Sequence, residues 1–432
     1  MPMIEQLTAL EILDSRGRPT VSAACRFTSG VTASASVPSG ASTGSAEAFE
    51  LRDRDPSRYG GLGCRRAVEN INREINEALR GMQFETQQQL DEALIALDGT
   101  PNKSRLGANA ILAVSLSFAR ASSIEQRTPL YTYFAQLLAK PQAESVPRLT
   151  VNLFSGGKHA GGQVEVQDVL VVPRSAKTID ESLAVVYAIY QSAFAIAQKR
   201  YGIRMLRADE GGLAPPFENV DVMLQQSVEA IERAKLKPRA DVALAVDVAS
   251  SHFYENQEYV IAGKPLSSSA MIDLIEAWVR RFPIISIEDG LSQDDWDNWP
   301  KLRGWIGDCA LVIGDDFLCT NPARIERAIE TKSANALLLK VNQIGTLTEA
   351  ARANELARNA GWSVVASARS GETEDDWLAD LAVGWGADYI KVGSITQSDR
   401  LAKYNRLLAI EGQTGWPLAE SATPAGHRRA GS

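Results

Sequence analysis

Between Val242 and Ser394 short apolar runs recur, and most end on one polar or charged residue. The runs are Val242–Asp247, Ile284–Glu288, Leu311–Asp315, Ala336–Lys340, Ser363–Arg369 and Tyr389–Lys391. Their length and Val/Ile/Leu content suit strands of a parallel sheet buried on both faces. From Glu288 onward the terminal residues follow one another at roughly one βα unit, about 25 residues. Charges repeated at the C-terminal ends of such strands are the pattern of a (β/α)₈ barrel active site.

The 432 residues leave room for a further domain ahead of the barrel. Alternation over Ile4–Leu13 and Thr20–Phe27, across a turn at Asp14–Gly17, predicts an antiparallel pair, with a third strand over Val31–Val37. Helical spacing follows over Cys64–Leu79, Gln87–Ala96 and Gly107–Ala121. We therefore expect an α+β domain over residues 1–140 and a barrel over 141–432. The net charge of −8 argues against general binding to nucleic acid or to an anionic membrane. The four cysteines form no C-x-x-C pair, and no run reaches the roughly 20 apolar residues of a membrane span. The N-terminus shows no signal-peptide pattern, and a reducing, cytoplasmic location is expected.

Asp247, Glu288 and Asp315 each close a strongly apolar run. Unpaired, each would be costly to bury, and together they would raise one another's pKa. A divalent cation removes both problems. Oxygen ligands without cysteine or histidine favour Mg²⁺, with Mn²⁺ as the alternative. Pairing of each acid with a lysine or arginine at the barrel rim is the structural alternative. Lys340 closes the most apolar run and Lys391 repeats the pattern. Partly desolvated beside a cation and Lys391, Lys340 is expected to have a lowered pKa and to serve as a base. Arg369 and Ser370 offer a fork of donors with a hydroxyl, suited to phosphate. Glu210 stands in the turn Asp209-Glu-Gly-Gly212 and is the candidate acid. Together these groups fit abstraction of a proton next to a carboxylate, followed by loss of a 3-hydroxyl.

Collinear segments carry a resemblance. They include Asp14-Ser-Arg-Gly17, Pro38-Ser-Gly-Ala-Ser-Thr-Gly44, Asn102-Lys-Ser104, Gly107–Leu116, Asp209-Glu-Gly-Gly212, Ser286-Ile-Glu-Asp-Gly-Leu291, Gly314-Asp-Asp316, Asn342-Gln-Ile-Gly345, Arg369–Glu374 and Ser398-Asp-Arg400. In these the chain resembles the enolase (phosphopyruvate hydratase) family along nearly its whole length. A lysine or histidine base beside one or two Mg²⁺ ions is the known pattern of that superfamily. The resemblance implies an α/β fold, an enolase-type modified (β/α)₈ barrel with a smaller N-terminal α+β capping domain, usually as a homodimer. It implies Mg²⁺ on Asp247, Glu288 and Asp315, with Ser42 serving a second ion. It also implies Lys340 as base, Glu210 as acid, and His159, Gln167, Asp168, Arg369, Ser370 and Lys391 as contacts of a phosphorylated carboxylate substrate.

Three departures stand out. Asp168 replaces a glutamate, Ala368 replaces a histidine, and Ser22 replaces a glutamate that joins a subunit-interface ion pair in the family. Three readings remain open. One is glycolytic dehydration of 2-phosphoglycerate to phosphoenolpyruvate. The second is a paralogue forming carboxyphosphonoenolpyruvate, or a similar enol, in phosphonate antibiotic biosynthesis. The third is a non-catalytic scaffold.

Overall fold

The computed structural model describes residues 2–41, 43–140, 144–202 and 206–421. Near the N-terminus β1 (Ile4–Leu13), β2 (Pro19–Phe27) and β3 (Thr32–Ser36) form an antiparallel meander. The Asp14 carboxylate fixes the first turn by accepting from the backbone of Arg16 and Arg18 at 2.8 and 2.9 Å. The helix Ala108–Glu125 is buried along most of its length and packs on β2 and β3, as its small and apolar residues predict.

The second part is a closed eight-stranded barrel. Its strands are β4 (Arg148–Ser155), β5 (Asp168–Pro173), β6 (Val242–Asp247), then β10 (Ile284–Glu288), β11 (Leu311–Gly314), β12 (Ala336–Leu339), β13 (Ser363–Ser367) and β14 (Tyr389–Lys391). A small sheet of β7 (Tyr254–Glu255), β8 (Glu258–Ile261) and β9 (Lys264–Leu266) interrupts the connection after β6. The sequence pattern did not show that sheet. The apolar runs become the expected strands, and helices such as Ser268–Arg281, Pro322–Glu330 and Leu347–Asn359 alternate with them.

One strand departs from the parallel expectation. β5 runs antiparallel to both β4 and β6. Residues 156–167 join β4 to β5 with only a short turn at Gly157–Ala160. Without a crossover helix the chain has to double back. Two helices, Ile179–Tyr201 and Val220–Arg233, then cover the step to β6. This (β/α)₈ variant is what makes the barrel a modified one.

Below the mouth the barrel is filled by Leu170, Val172, Ala245, Ile285, Ile313, Leu338, Val365 and Tyr389, a packed plug separate from the larger core outside the strands. The meander end covers the opposite, C-terminal mouth. Ser39 and Gly371 exchange backbone hydrogen bonds at 2.8 and 2.9 Å, and Lys103 pairs with Glu349. The four cysteines are free, three of them buried. Among the described residues no helix is long and apolar enough to cross a membrane.

Candidate functional site

Strand register sets the level of the site. Ser155 pairs with Asp168, Asp168 with Asp247, and Asp247 with Glu288. Ser367 pairs with Lys391. Because β5 is reversed, its first residue stands beside the last residues of its neighbours. Asp168 therefore joins the C-terminal mouth from the start of a strand.

Lys391 is buried and crosses the mouth. Its Nζ donates to Asp247 Oδ2 at 2.8 Å and to both Glu288 oxygens at 2.9 and 2.8 Å. Gln167 Nε2 adds a bond to Asp247 Oδ2 at 3.2 Å. Burial opposes charge on every member. Even so, the lysine holds Asp247 down at about 2, and the two acids raise Lys391 well above the usual lysine range. Glu288 moves the other way, raised by burial and by Asp247.

Lys340 follows β12 and donates to Asp315 Oδ2, whose other oxygen accepts from Gln343 Nε2 at 2.9 Å. The lowered lysine pKa expected from sequence is not found. Burial pushes Lys340 down, but Asp315 outweighs it and the net shift is upward. The expectation did not include a direct ion pair between Lys340 and Asp315.

On the other side of the mouth, the Asp168 oxygens accept from Ser155 Oγ and pair with His159 Nδ1, the latter at 2.8 Å. The far nitrogen of His159 faces Glu210 Oε1 at 3.8 Å, and Asn152 Nδ2 donates to Glu210 Oε2 at 3.0 Å. Burial opposes charge on His159, yet Asp168 and Glu210 carry it up to about 9. Glu210 is lowered, because His159, Arg400 and the lysines overcome its burial. The neighbours thus favour the charged form of both His159 and Glu210.

Arg369 is engaged by Glu47, with contacts of 3.1 and 3.2 Å, and donates to Asn342 Oδ1 at 3.1 Å. Ser370 Oγ accepts from Arg16 at 3.2 Å. Arg400 holds the same turn by donating to the carbonyls of Arg369 and Ser370 at 2.6 and 2.7 Å. Ser42 lies outside the described residues.

The structure brings Lys340, Glu210, His159, Gln167, Asp168, Arg369, Ser370, Lys391, Asp247, Glu288 and Asp315 to one mouth. It does not gather Asp247, Glu288 and Asp315 into one compact donor cluster. Among the described residues, donor atoms within 4.8 Å of one another group instead as His159, Asp168 and Glu210, and as Asp289, Asp315 and Asp316. Sequence reasoning missed Asp289 and Asp316, which directly follow Glu288 and Asp315. The Asp289 carboxylate accepts from the backbone of Asp315 and Asp316, at 2.8 Å each. Burial and the neighbouring Asp315 push Asp316 up to about 7. The doubled acids were visible, but a strand-end reading stops at the first. Glu47, Asn152 and Gln343 were also missed; none closes an apolar run.

Asp247 and Glu288 are paired with Lys391, and Asp315 with Lys340, as the rim-pairing alternative expected. The all-oxygen cluster Asp289, Asp315 and Asp316 could hold a divalent cation. A barrel with a reversed second strand, acids and lysines ringed at its C-terminal mouth and a capping meander defines an enolase-superfamily lyase. The chain belongs to the enolase family. Its residues 143–429 match the family model for the enolase C-terminal TIM barrel domain, and residues 4–134 match that for the enolase N-terminal domain.

Proposed function

We propose that this protein abstracts a proton alpha to a carboxylate and expels a 3-hydroxyl, converting 2-phosphoglycerate to phosphoenolpyruvate. One observation carries the reading. Lys340 follows β12, Asp168 opens β5, and these strands stand four apart in an eight-stranded ring, which puts them diametrically opposite. A substrate between them meets a base on one face and an acid on the other.

The C2–H bond breaks with its proton going to Lys340 Nζ, and the electron pair moves onto the carboxylate as an aci-carboxylate. The pair then returns to form C2=C3 as the C3–O bond breaks, and the hydroxyl takes a proton from the His159–Glu210 pair and leaves as water. Lys391 supplies positive charge beside the substrate carboxylate. Arg369 and Ser370 take the phosphate once Arg369 exchanges Glu47 for it. Asp247, Glu288 and Asp315 would hold Mg²⁺, which when bound offers positive charge against the developing negative charge on the carboxylate. Lys340 serves as base only after it loses Asp315 as a partner. The reading includes a cytoplasmic homodimer, as in the family.

A second reading is favoured by Ala368. This buried residue follows β13, directly precedes Arg369, and its amide donates to the Lys391 carbonyl at 2.9 Å. A methyl where the family carries an imidazole would suit a bulkier 2-phospho- or 2-phosphono-glycerate, such as the precursor of carboxyphosphonoenolpyruvate. Turnover of 2-phosphoglycerate with Mg²⁺ tests the choice. Rapid conversion by the wild type supports the glycolytic reaction, and a nearly inert wild type that gains activity as Ala368→His/Asp168→Glu supports the specialised substrate.

A further inference from the structure

We infer that Ser155 is a positioning residue for the acid side of the site, with its hydroxyl aiming the short Asp168 carboxylate at His159. The inference rests on the proposed elimination for its catalytic arm alone.

Ser155 ends β4 and Asp168 begins β5, and the two are direct cross-strand partners. Both are fully buried. The Ser155 hydroxyl donates to Asp168 Oδ1, while Oδ2 pairs with His159 Nδ1. Each carboxylate oxygen thus has its own protein partner, and the side chain is fixed in both position and rotation. The aimed carboxylate in turn orients the imidazole, whose far nitrogen faces Glu210.

The space around the hydroxyl supports the same assignment. A Cβ on Gly212 would sit 2.4 Å from Ser155 Oγ. Glycine there, two residues after Glu210, leaves the hydroxyl room. Serine at 155 and aspartate at 168 therefore form a matched pair. A glutamate at 168 needs space that the serine side chain fills, and an aspartate without the serine loses one of its two anchors. A buried carboxylate stripped of a donor also costs free energy, so Asp168 would turn to other partners.

Two measurements test this. Ser155→Ala and Ser155→Gly/Asp168→Glu are compared with the wild type. In the first measurement, 2-phosphoglycerate and Mg²⁺ in D₂O report two steps separately, deuterium entry at C2 and release of the enol product. We expect Ser155→Ala to keep C2 exchange, which depends on Lys340, and to lose elimination by on the order of 10- to 100-fold. The double variant, which moves bulk from 155 to 168, recovers most of that loss. Equal loss of both steps, or no loss of either, overturns the inference. In the second measurement no substrate is needed. The chain has only three histidines, so ¹⁵N NMR resolves His159. Its Nδ1–H signal should shift in Ser155→Ala while that of His252 stays in place. An unchanged His159 signal overturns the inference. A wild type that neither exchanges nor eliminates overturns the proposed function instead, and the NMR arm still decides the role of Ser155.

Discussion

Asp168 and Asp247 are the same residue type, paired in register across β5 and β6, and both are fully buried. Their carboxyls nonetheless shift in opposite directions. Burial raises Asp168, and His159 offsets only part of that. Burial also works against Asp247, but Lys391 reverses the outcome and holds it at about 2. The difference lies in the partners. Asp247 has a buried lysine that two acids share, whereas Asp168 has a hydroxyl, an imidazole and the repelling charge of Glu210. Adjacent carboxyls pushed apart in this way separate the roles of a site. The Asp247 side is a fixed charge lattice. The Asp168 side is a chain of hydrogen bonds along which a proton can be placed.

The largest effect should come from the face opposite Asp168. Lys340→Ala should abolish exchange of the C2 proton, by about 100- to 10,000-fold or more. Calorimetry should still show divalent-cation binding, since the carboxylates remain. Persistent exchange would remove Lys340 as base and with it the two-sided reading.

Asp247→Asn tests the lattice. It keeps the shape and takes away the charge that Lys391 shares with Glu288. Affinity for Mg²⁺, read by calorimetry, should fall by at least the roughly 100-fold that marks loss of a group supporting a metal. Asp168→Asn should leave that affinity within a few-fold. If the two variants weaken binding equally, the two aspartates do not differ in role.

The acid side has a pH signature. His159 has its pKa raised to about 9, so the imidazole stays protonated through neutrality and loses its proton as pH rises through about 9. The elimination step should therefore hold up to pH 8 and decline above about 9, while C2 exchange follows a different profile. A decline centred near 6.5, the ordinary histidine range, would mean that Asp168 and Glu210 do not hold the proton in place.

Much of this comparison could be read from the sequence. Asp247, Glu288, Asp315, Lys340 and Lys391 each end an apolar run, and burial on both faces leaves a strand end as the place for a charge. The reversal of β5 was not legible, because a run such as Asp168–Pro173 reads the same in either direction; only the missing crossover helix sets it. Partner choice was not legible either. Lys340 was expected to lose charge, yet its state depends on whether Asp315 faces it, and spacing along the chain carries no such information. Ser155 precedes Gly156 and Gly157, and on spacing alone it reads as the start of a turn. Its role appears only once β4 and β5 are placed side by side.

Ala368 offers the smallest effect and the finest test. It stands one residue beyond β13, in the turn that carries Arg369 and Ser370, with its amide bound to the Lys391 carbonyl. It therefore touches the lattice side through the backbone. Ala368→His adds a donor and bulk without removing any group that holds a carboxylate. On the lattice side nothing should change, and Mg²⁺ affinity should stay within about 2-fold. The change should appear in substrate choice, because one added polar contact or clash shifts discrimination by about 1–3 kcal/mol, or 10- to 200-fold. The ratio of kcat/KM for 2-phosphoglycerate to that for a bulkier 2-phosphono analogue should move toward the smaller substrate. If the ratio is unmoved while cation affinity falls, residue 368 acts on the charge lattice through its backbone, and selectivity has to be sought on the Asp168 side.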